Sequence, residues 1–445
     1  ARLRIKLAMP KEWINPIDLI VPERFDIMFK YTFAYLMEKG ILTKWSIAPY
    51  EHHLKVWNNL VENQPKKEGI EEFISSFKNT LSSIKQDGFN TTFAPVPIAE
   101  ENRYPLNGAH RIAASLLYNK PVLCEEVDAI SARNVGCSCS SSYLLNRTEH
   151  VPTGLLRLYS DSAMHQYAKL KTNTRIITVF PAAVGNHHQL NKLISEECNV
   201  IYSAAVSLSH LGCFNFIRYV YDEDASRGNA WLGNANNGWS GAASKANLCF
   251  PNNHDKIIRM YWFEESSPDD SVLLKDKIRN IFNIGKHSVH INDTHTETLS
   301  MTGYTLSEQG RHFLNNTRPR HICNFDNFFE KFKGWIKDSN LDPEDFCVDS
   351  SAVLTAYGLR DCRDLDFLYS GNFIDTGMND VSCHNEELKY YRHSKEDIIF
   401  NPQNHFYYKG VKFASLDVVR AMKKFRNEEK DVVDVELINK LIGSA

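Results

Sequence analysis

The chain has no C-x-x-C pair; its ten cysteines are scattered, and the closest two are Cys137 and Cys139. That excludes a zinc ribbon and a dithiol redox motif. Scattered thiols without framework spacing suit a reducing compartment, so a cytoplasmic protein with no disulfide is expected. No apolar run reaches the ~18 residues of a membrane span, and the start lacks the apolar core of a signal peptide. No block of about five basic residues occurs. With 51 Lys plus Arg against 54 Asp plus Glu, the net charge of −3 gives no global field for a polyanion, which argues against an extended nucleic-acid partner. No internal repeat marks a solenoid.

What is present is apolar content of 43 %, enough to pack cores along 445 residues and to predict several domains. Helical spacing of apolar residues predicts helices over 25–39, 52–61, 70–84, 109–118, 214–221, 273–281, 325–339, 417–425 and 433–441. β-branched or alternating runs predict strands over 1–7, 19–21, 96–98, 121–127, 175–180, 199–206, 256–263, 286–291 and 364–368. Asp342-Pro343-Glu344 reads as a helix start, and the Gly-, Asn- and Ser-rich stretch 227–244 as a long surface loop. The small, polar stretch 131–142 is the candidate linker. Strands alternating with helices predict a multidomain α/β fold, divided into 1–150, 151–324 and 325–445.

The most informative stretch runs from Ser350 to Leu368: a helix, Gly358, the charged turn Arg360-Asp361-Cys362-Arg363, then Asp364-Leu365-Asp366-Phe367. On a strand Asp364 and Asp366 share a face, and Leu365 and Phe367 fill the opposite one. Two adjacent carboxylates repel unless a cation lies between them, and Mg²⁺ binds through such carboxylates together with substrate phosphates. This segment resembles the nucleotidyltransferase superfamily, in its minimal, abortive-infection antitoxin-type branch. The tail adds to the likeness, with Lys423-Lys424-Phe425-Arg426 followed by Lys430-Asp431 and Asp434. In that branch a similar run closes the domain through charge pairs.

The resemblance implies Asp364 and Asp366 as catalytic ligands of Mg²⁺ or Mn²⁺, with Arg360 beside the phosphates. The sequence departs from the family in placing Ser350-Ser351 upstream of Gly358-Leu359, where a Gly-Gly or Gly-Ser pair is usual. Glu386 and Asp397 are the candidates for a third carboxylate.

Asn107-Gly108-Ala109-His110-Arg111 opens a helix after a turn, bringing backbone N–H groups and cationic side chains to one place, which is the physics of an anion site. The string resembles the phosphate-binding motif of the ParB/sulfiredoxin fold, with Asn107 in place of an acidic residue. Residues 17–22 then resemble that fold's first strand. The resemblance implies a nucleotide- or phosphate-binding domain using Asn107, Gly108, His110 and Arg111.

In the central segment His290, Asn292, Asp293 and His295 gather at a strand end and predict a polar substrate pocket, while Thr294 and Glu297 fit a capping box. Lys245 follows a Gly/Ser stretch but lacks P-loop spacing. The aromatic stripe Phe325, Phe328, Phe329, Phe332 and Trp335 reads as a core or surface feature and not as a cofactor site.

As a whole the segment order is similar to proteins of surface-polysaccharide biosynthesis. The expected activity is therefore a metal-dependent transferase of a nucleotidyl, phosphoryl or sugar-phosphate group, with a nucleotide or nucleotide-sugar as substrate. The alternatives are a glycosyltransferase and a non-catalytic nucleotide-sensing protein with a degenerate transferase fold.

Overall fold

The computed structural model describes residues 11–63, 65–90, 93–128, 138–147, 151–222, 229–252, 254–318 and 323–443. The strand expected over 1–7, most of the linker over 131–142, and the start of the loop at 227 lie outside the described residues. The fold is mixed α/β and divides into two compact units, 1–172 with 199–202, and 173–198 with 203–445. The central and carboxy-terminal segments of the sequence reading share the second unit. No helix among the described residues is long and apolar enough to cross a membrane. Eight cysteines among the described residues are free thiols.

The first unit has a three-stranded sheet ordered β1-β5-β4, from β1 (Lys11–Ile14), β4 (Val96–Ala99) and β5 (Val122–Val127). β2 (Val61–Asn63) and β3 (Lys66–Glu68) form a separate hairpin. The helices are α1 (Asp26–Glu38), α2 (Lys44–Asn58), α3 (Ile70–Asp87), α4 (Ala109–Leu117), α5 (Ser141–Leu145) and α6 (Thr153–Leu170). On α3 the buried Phe73, Phe77, Leu81 and Ile84 recur at helical spacing.

The strand expected at 19–21 is instead preceded by a 3₁₀ turn, Pro16–Leu19. Asn15 accepts from the Ile17 N–H and Pro16 presets the turn, so local capping overrides the β-branched run. Beneath α1, Asp26 is buried between Arg24 (2.9 Å) and Lys30 (2.8 Å), and Lys30 Nζ also meets His53 Nε2 at 2.8 Å.

The second unit holds two sheets. One is ordered β7-β8-β6-β9, from β6 (Thr174–Val179), β7 (Val200–Ser207), β8 (Ile257–Glu264) and β9 (Val289–Ile291); β6 runs antiparallel to both β8 and β9. Its helices are α7 (His187–Glu197), α8 (His210–Asp222), α9 (Ser240–Cys249), α10 (Pro268–Phe282), α11 (His295–Leu306) and α12 (Glu308–Asn316). The expected loop over 227–244 thus gives way to two 3₁₀ turns and the start of α9; Ala242 and Ala246 bury against neighbours that glycine-rich composition conceals. The Thr294–Glu297 capping box opens α11 as the spacing predicts.

α11 and α12 cross at Gly310. A Cβ there would stand 2.9 Å from the Tyr304 carbonyl oxygen and nearer still to that of Gly303. Gly310→Ala is expected to cost about 1–3 kcal/mol, as overpacking does, without altering the far end of the unit. An unchanged urea midpoint would show that the helices separate freely.

The other sheet is ordered β12-β11-β10-β14-β13, from β10 (Phe346–Val348), β11 (Leu365–Tyr369), β12 (Val381–Cys383), β13 (His405–Tyr408) and β14 (Val411–Ala414). β10 and β11 are antiparallel, while β11 with β12 and β10 with β14 are parallel. The hairpin β13–β14 turns on Lys409 (φ 45°) and Gly410 (φ 82°), a pair of left-handed residues matching strand twist.

Five helices complete this half: α13 (Cys323–Asp338), α14 (Ser350–Ala356), α15 (Lys395–Phe400) and the pair α16 (Leu416–Arg426) and α17 (Glu429–Ile442). In the aromatic stripe of α13, Phe325, Phe329 and Phe332 are core, while Phe328 and Trp335 are half-buried. Phe329 packs on Tyr408 and Phe413, and Phe332 lies 4.8 Å from the Phe367 ring. The predicted helix at Asp342-Pro343 is only a 3₁₀ turn, Pro343–Asp345, because β10 claims the next residues for the centre of the sheet.

Candidate metal centre

Alternation fixes which side chains meet on the five-stranded sheet. Phe346, Val348, Phe367 and Tyr369 occupy one face, where Phe346 and Phe367 meet α13. The other face therefore carries Asp349, immediately after β10, and Asp366 on β11. The two backbones are directly paired, Asp349 N donating to Asp366 O at 3.0 Å. On β12 Ser382 is level with Asp366, and His384, two residues on, shares its face. The His384 N–H donates to the Phe367 carbonyl at 2.7 Å and holds the chain in line.

One ligand atom from each of Asp349, Asp366 and His384 lies within 4.8 Å of the others. Each carboxylate also accepts from a hydroxyl group. Tyr391 Oη donates to Asp349 Oδ2, and Ser382 Oγ donates to Asp366 Oδ1 at 3.2 Å. Asp349 is wholly buried, yet its Oδ1 accepts no hydrogen bond; it faces His384 Nδ1 at 3.4 Å as an ion pair. Such outer partners are what orient ligating side chains.

The charges report the crowding. Burial raises the Asp366 carboxyl to about 6; His384 opposes this, while Asp349 and Asp364 add repulsion. Burial works against the His384 imidazolium, but Asp349 outweighs it and lifts the group to about 9. In the structure as it stands the imidazolium supplies the positive charge that the two carboxylates need. A divalent cation bound by two carboxylates and an imidazole would supply more of it.

Of the residues named from sequence, Asp366 is in this centre. Asp364 lies one residue before β11, exposed, close enough for its charge to act on Asp366. Leu365 and Phe367 fill the opposite face, as expected. Asp349 and His384 were not singled out in the sequence. The signal for Asp349 was the Phe-Cys-Val run before it, which is too short to read as a strand.

Asp397 holds His393 Nδ1 at 2.6 Å, and Glu386 lies on the 3₁₀ turn Asn385–Tyr390, outside the three-residue cluster. Ser350, with φ 55°, makes the tight turn from β10 into α14. Arg360 is engaged elsewhere, donating to both oxygens of Asp434 at 2.5 and 2.7 Å.

In the first unit Asn107, Gly108, His110 and Arg111 do come together at the start of α4, each with a protein partner. Asn107 Oδ1 accepts from the Gly108 N–H at 2.6 Å, His110 Nε2 meets Tyr50 Oη at 2.8 Å, and Arg111 donates to the Ala94 carbonyl. Burial, with Lys30 next, pushes the His110 imidazole well below its ordinary range, so it is neutral. A Cβ at Gly108 (φ 83°) would stand 2.8 Å from Val96 Cγ2, so the glycine is required by conformation and by packing.

The central group is partly structural. Asn292 is buried, accepts from the Ile176 N–H at 2.8 Å and donates to Thr298 Oγ1 at 2.7 Å. Asp293 pairs with Lys275 at 3.2 Å. His290 is buried against the Tyr221 ring, and His295 begins α11. Because β9 is antiparallel to β6, these residues do not stand at the common carboxyl edge of a parallel sheet.

No protein-family model matches the chain, and neither does any curated protein or solved structure.

Proposed function

We propose that the chain is a cytoplasmic, divalent-metal-dependent transferase of a nucleotidyl, phosphoryl or sugar-phosphate group. Asp349, Asp366 and His384 hold the metal, with Asp364 beside them at the open edge. The observation that carries this is the buried Asp349 Oδ1, left without a hydrogen bond and turned toward a second carboxylate and an imidazole. The His384 imidazolium meets that charge at 3.4 Å, and a divalent cation would take over this part with the imidazole neutral as a ligand.

The imidazole ligand favours Mn²⁺ over Mg²⁺, since nitrogen donors suit the softer ion. When bound, the metal would neutralise charge on the transferred phosphate. Tyr391 and Ser382 keep both carboxylates aimed inward, and Asp364 is placed to take a second metal contact or to orient the acceptor. The strand–turn–helix–strand order β10–α14–β11 supports a transferase of the nucleotidyl type, as does the closure of the tail by charge pairs.

Titration calorimetry with Mn²⁺, alone and with nucleoside triphosphates or nucleotide-sugars, tests the reading. One metal-dependent nucleotide site is expected, and heat from Mn²⁺ should be at least tenfold weaker in affinity for Asp349→Asn. Equal Mn²⁺ binding in the wild type and the variant would end the proposal.

A further inference from the structure

Four lysines are buried among the described residues: Lys30, Lys245, Lys412 and Lys423. Three have a carboxylate against the ammonium. Lys30 meets Asp26 at 2.8 Å, Lys412 meets Glu344 at 3.0 Å, and Lys423 meets Asp434 at 2.8 Å. Lys245, on α9 and 7 % exposed, has none among the described residues. Its hydrogen-bond acceptor is the Lys286 carbonyl at 3.3 Å, and its Nζ stands over the Tyr221 ring (5.1 Å) and the Phe180 ring (5.8 Å). A buried ammonium held only by a carbonyl and ring faces lacks its counter-charge.

A second observation points to the same place. His290 is 8 % exposed, and its Nε2 is buried with no hydrogen-bond partner. Its ring lies 4.7 Å from the same Tyr221 ring that Lys245 covers. Nε of Arg279, on α10, and Nδ1 of His287 are likewise buried and unpartnered, while Arg279 Nη1 pairs with Asp276 at 3.3 Å.

The charges facing His290 are Lys275, Lys245 and Arg279 against Asp293, which is paired with Lys275; Glu297, the other carboxylate near Tyr221, accepts from the Asp293 and Thr294 N–H groups. Burial, with Lys275 first among the cations, lowers His290 to about 3, so the ring is neutral and one of its nitrogens carries a proton it can donate. Trp231, 45 % exposed, meets the Tyr221 ring edge-on at 5.4 Å.

We infer that Lys245, His290 and Arg279 form an anion site for the phosphate of a phosphate ester, with Tyr221 and Trp231 as its aromatic wall. The phosphate supplies the counter-charge that Lys245 lacks and accepts from the imidazole and guanidinium N–H groups. The rings flank the group to which the phosphate is esterified. This site uses none of the carboxylate–imidazole residues and requires no metal.

Calorimetry on the full chain in excess EDTA, with inorganic phosphate and in parallel with uridine monophosphate, tests it. Removing divalent ions silences the carboxylate centre. Saturable binding of both probes is expected, tighter for the ester, with at least tenfold loss in Lys245→Met and a severalfold loss in His290→Gln. Trp231→Ala should bring the ester down to the affinity of free phosphate. If Lys245→Met does not fold, His290→Gln and Arg279→Gln decide the matter. Wild-type affinity in these variants, or no saturable heat from either probe with the wild-type chain, overturns the site.

Discussion

Asp366→Asn is expected to lower metal-dependent turnover by about 100-fold or more while the domain stays folded. The amide keeps the shape of the carboxylate and can still accept from Ser382 Oγ, which now lies 3.2 Å from Oδ1. What it loses is the negative charge that, with Asp349, would hold a divalent ion. The strands survive because their ladder is backbone, Asp349 N to Asp366 O included, and because Phe367 and Leu365 on the far face are untouched. Tyr391→Phe is a gentler version: it frees Asp349 Oδ2 and should weaken Mn²⁺ affinity about 10-fold or more, as loss of an orienting partner does. Asp364→Asn, at an exposed position, should fall between the wild type and Asp366→Asn. The readouts are Mn²⁺ affinity by calorimetry and release of product from a nucleotide donor. Turnover in Asp366→Asn equal to that of the wild type would leave the centre a structural ion cluster.

One residue of the three in this centre was legible in the sequence. The alternation Asp364-Leu365-Asp366-Phe367 places Asp366 on a polar face against an aromatic one, and the α13 stripe supplies that aromatic layer in the structure. Asp349 and His384 were not legible, for a physical reason. Asp349 follows a strand of three residues, and Asp342-Pro343-Glu344 just upstream carries a strong helix-start signal. The tertiary placement of β10 at the middle of the sheet, with β11 on one side and β14 on the other, decides the outcome. His384 is brought in by parallel pairing of β11 with β12, a non-local contact that leaves no local periodicity. The same holds for α9. Composition over 227–244 reads as loop, but Gly241 packs against the Trp231 backbone closely enough to exclude a side chain, and a helix follows. Elements set by their own caps and stripes, such as α3 and α11, were read correctly in register and start.

Asp431→Ala is expected to destabilise the second unit by about 3–5 kcal/mol, the cost of breaking a buried ion pair from one side. The tail signal Lys423, Arg426, Asp431 and Asp434 forms a closed lattice between α16 and α17. Lys423 meets Asp431 at 3.2 Å and Asp434 at 2.8 Å, Arg426 meets Asp431 at 2.8 Å, and Arg360 reaches Asp434 from the turn before β11. Lys423 and both aspartates are essentially inaccessible, so removing Asp431 takes one of two carboxylates from Lys423 and leaves the buried Arg426 side chain with Glu428 at 3.7 Å as its carboxylate. Burial alone would raise the Asp431 carboxyl, but Arg426 and Lys423 hold it down at about 2, below its ordinary 3.8. The folded value is the depressed one, so this stabilisation is complete above about pH 4 and is lost as the pH falls toward 2. Urea midpoints measured between about pH 2 and 6 should therefore decline with acid in the wild type and decline less in Asp431→Ala. Lys423→Met with Asp434→Leu should recover part of the loss of either single change, because the apolar pair removes the buried ammonium together with its carboxylate and leaves only the partly exposed Arg360 to turn to water. Equal acid slopes in the wild type and Asp431→Ala would mean that the lattice carries no net stability.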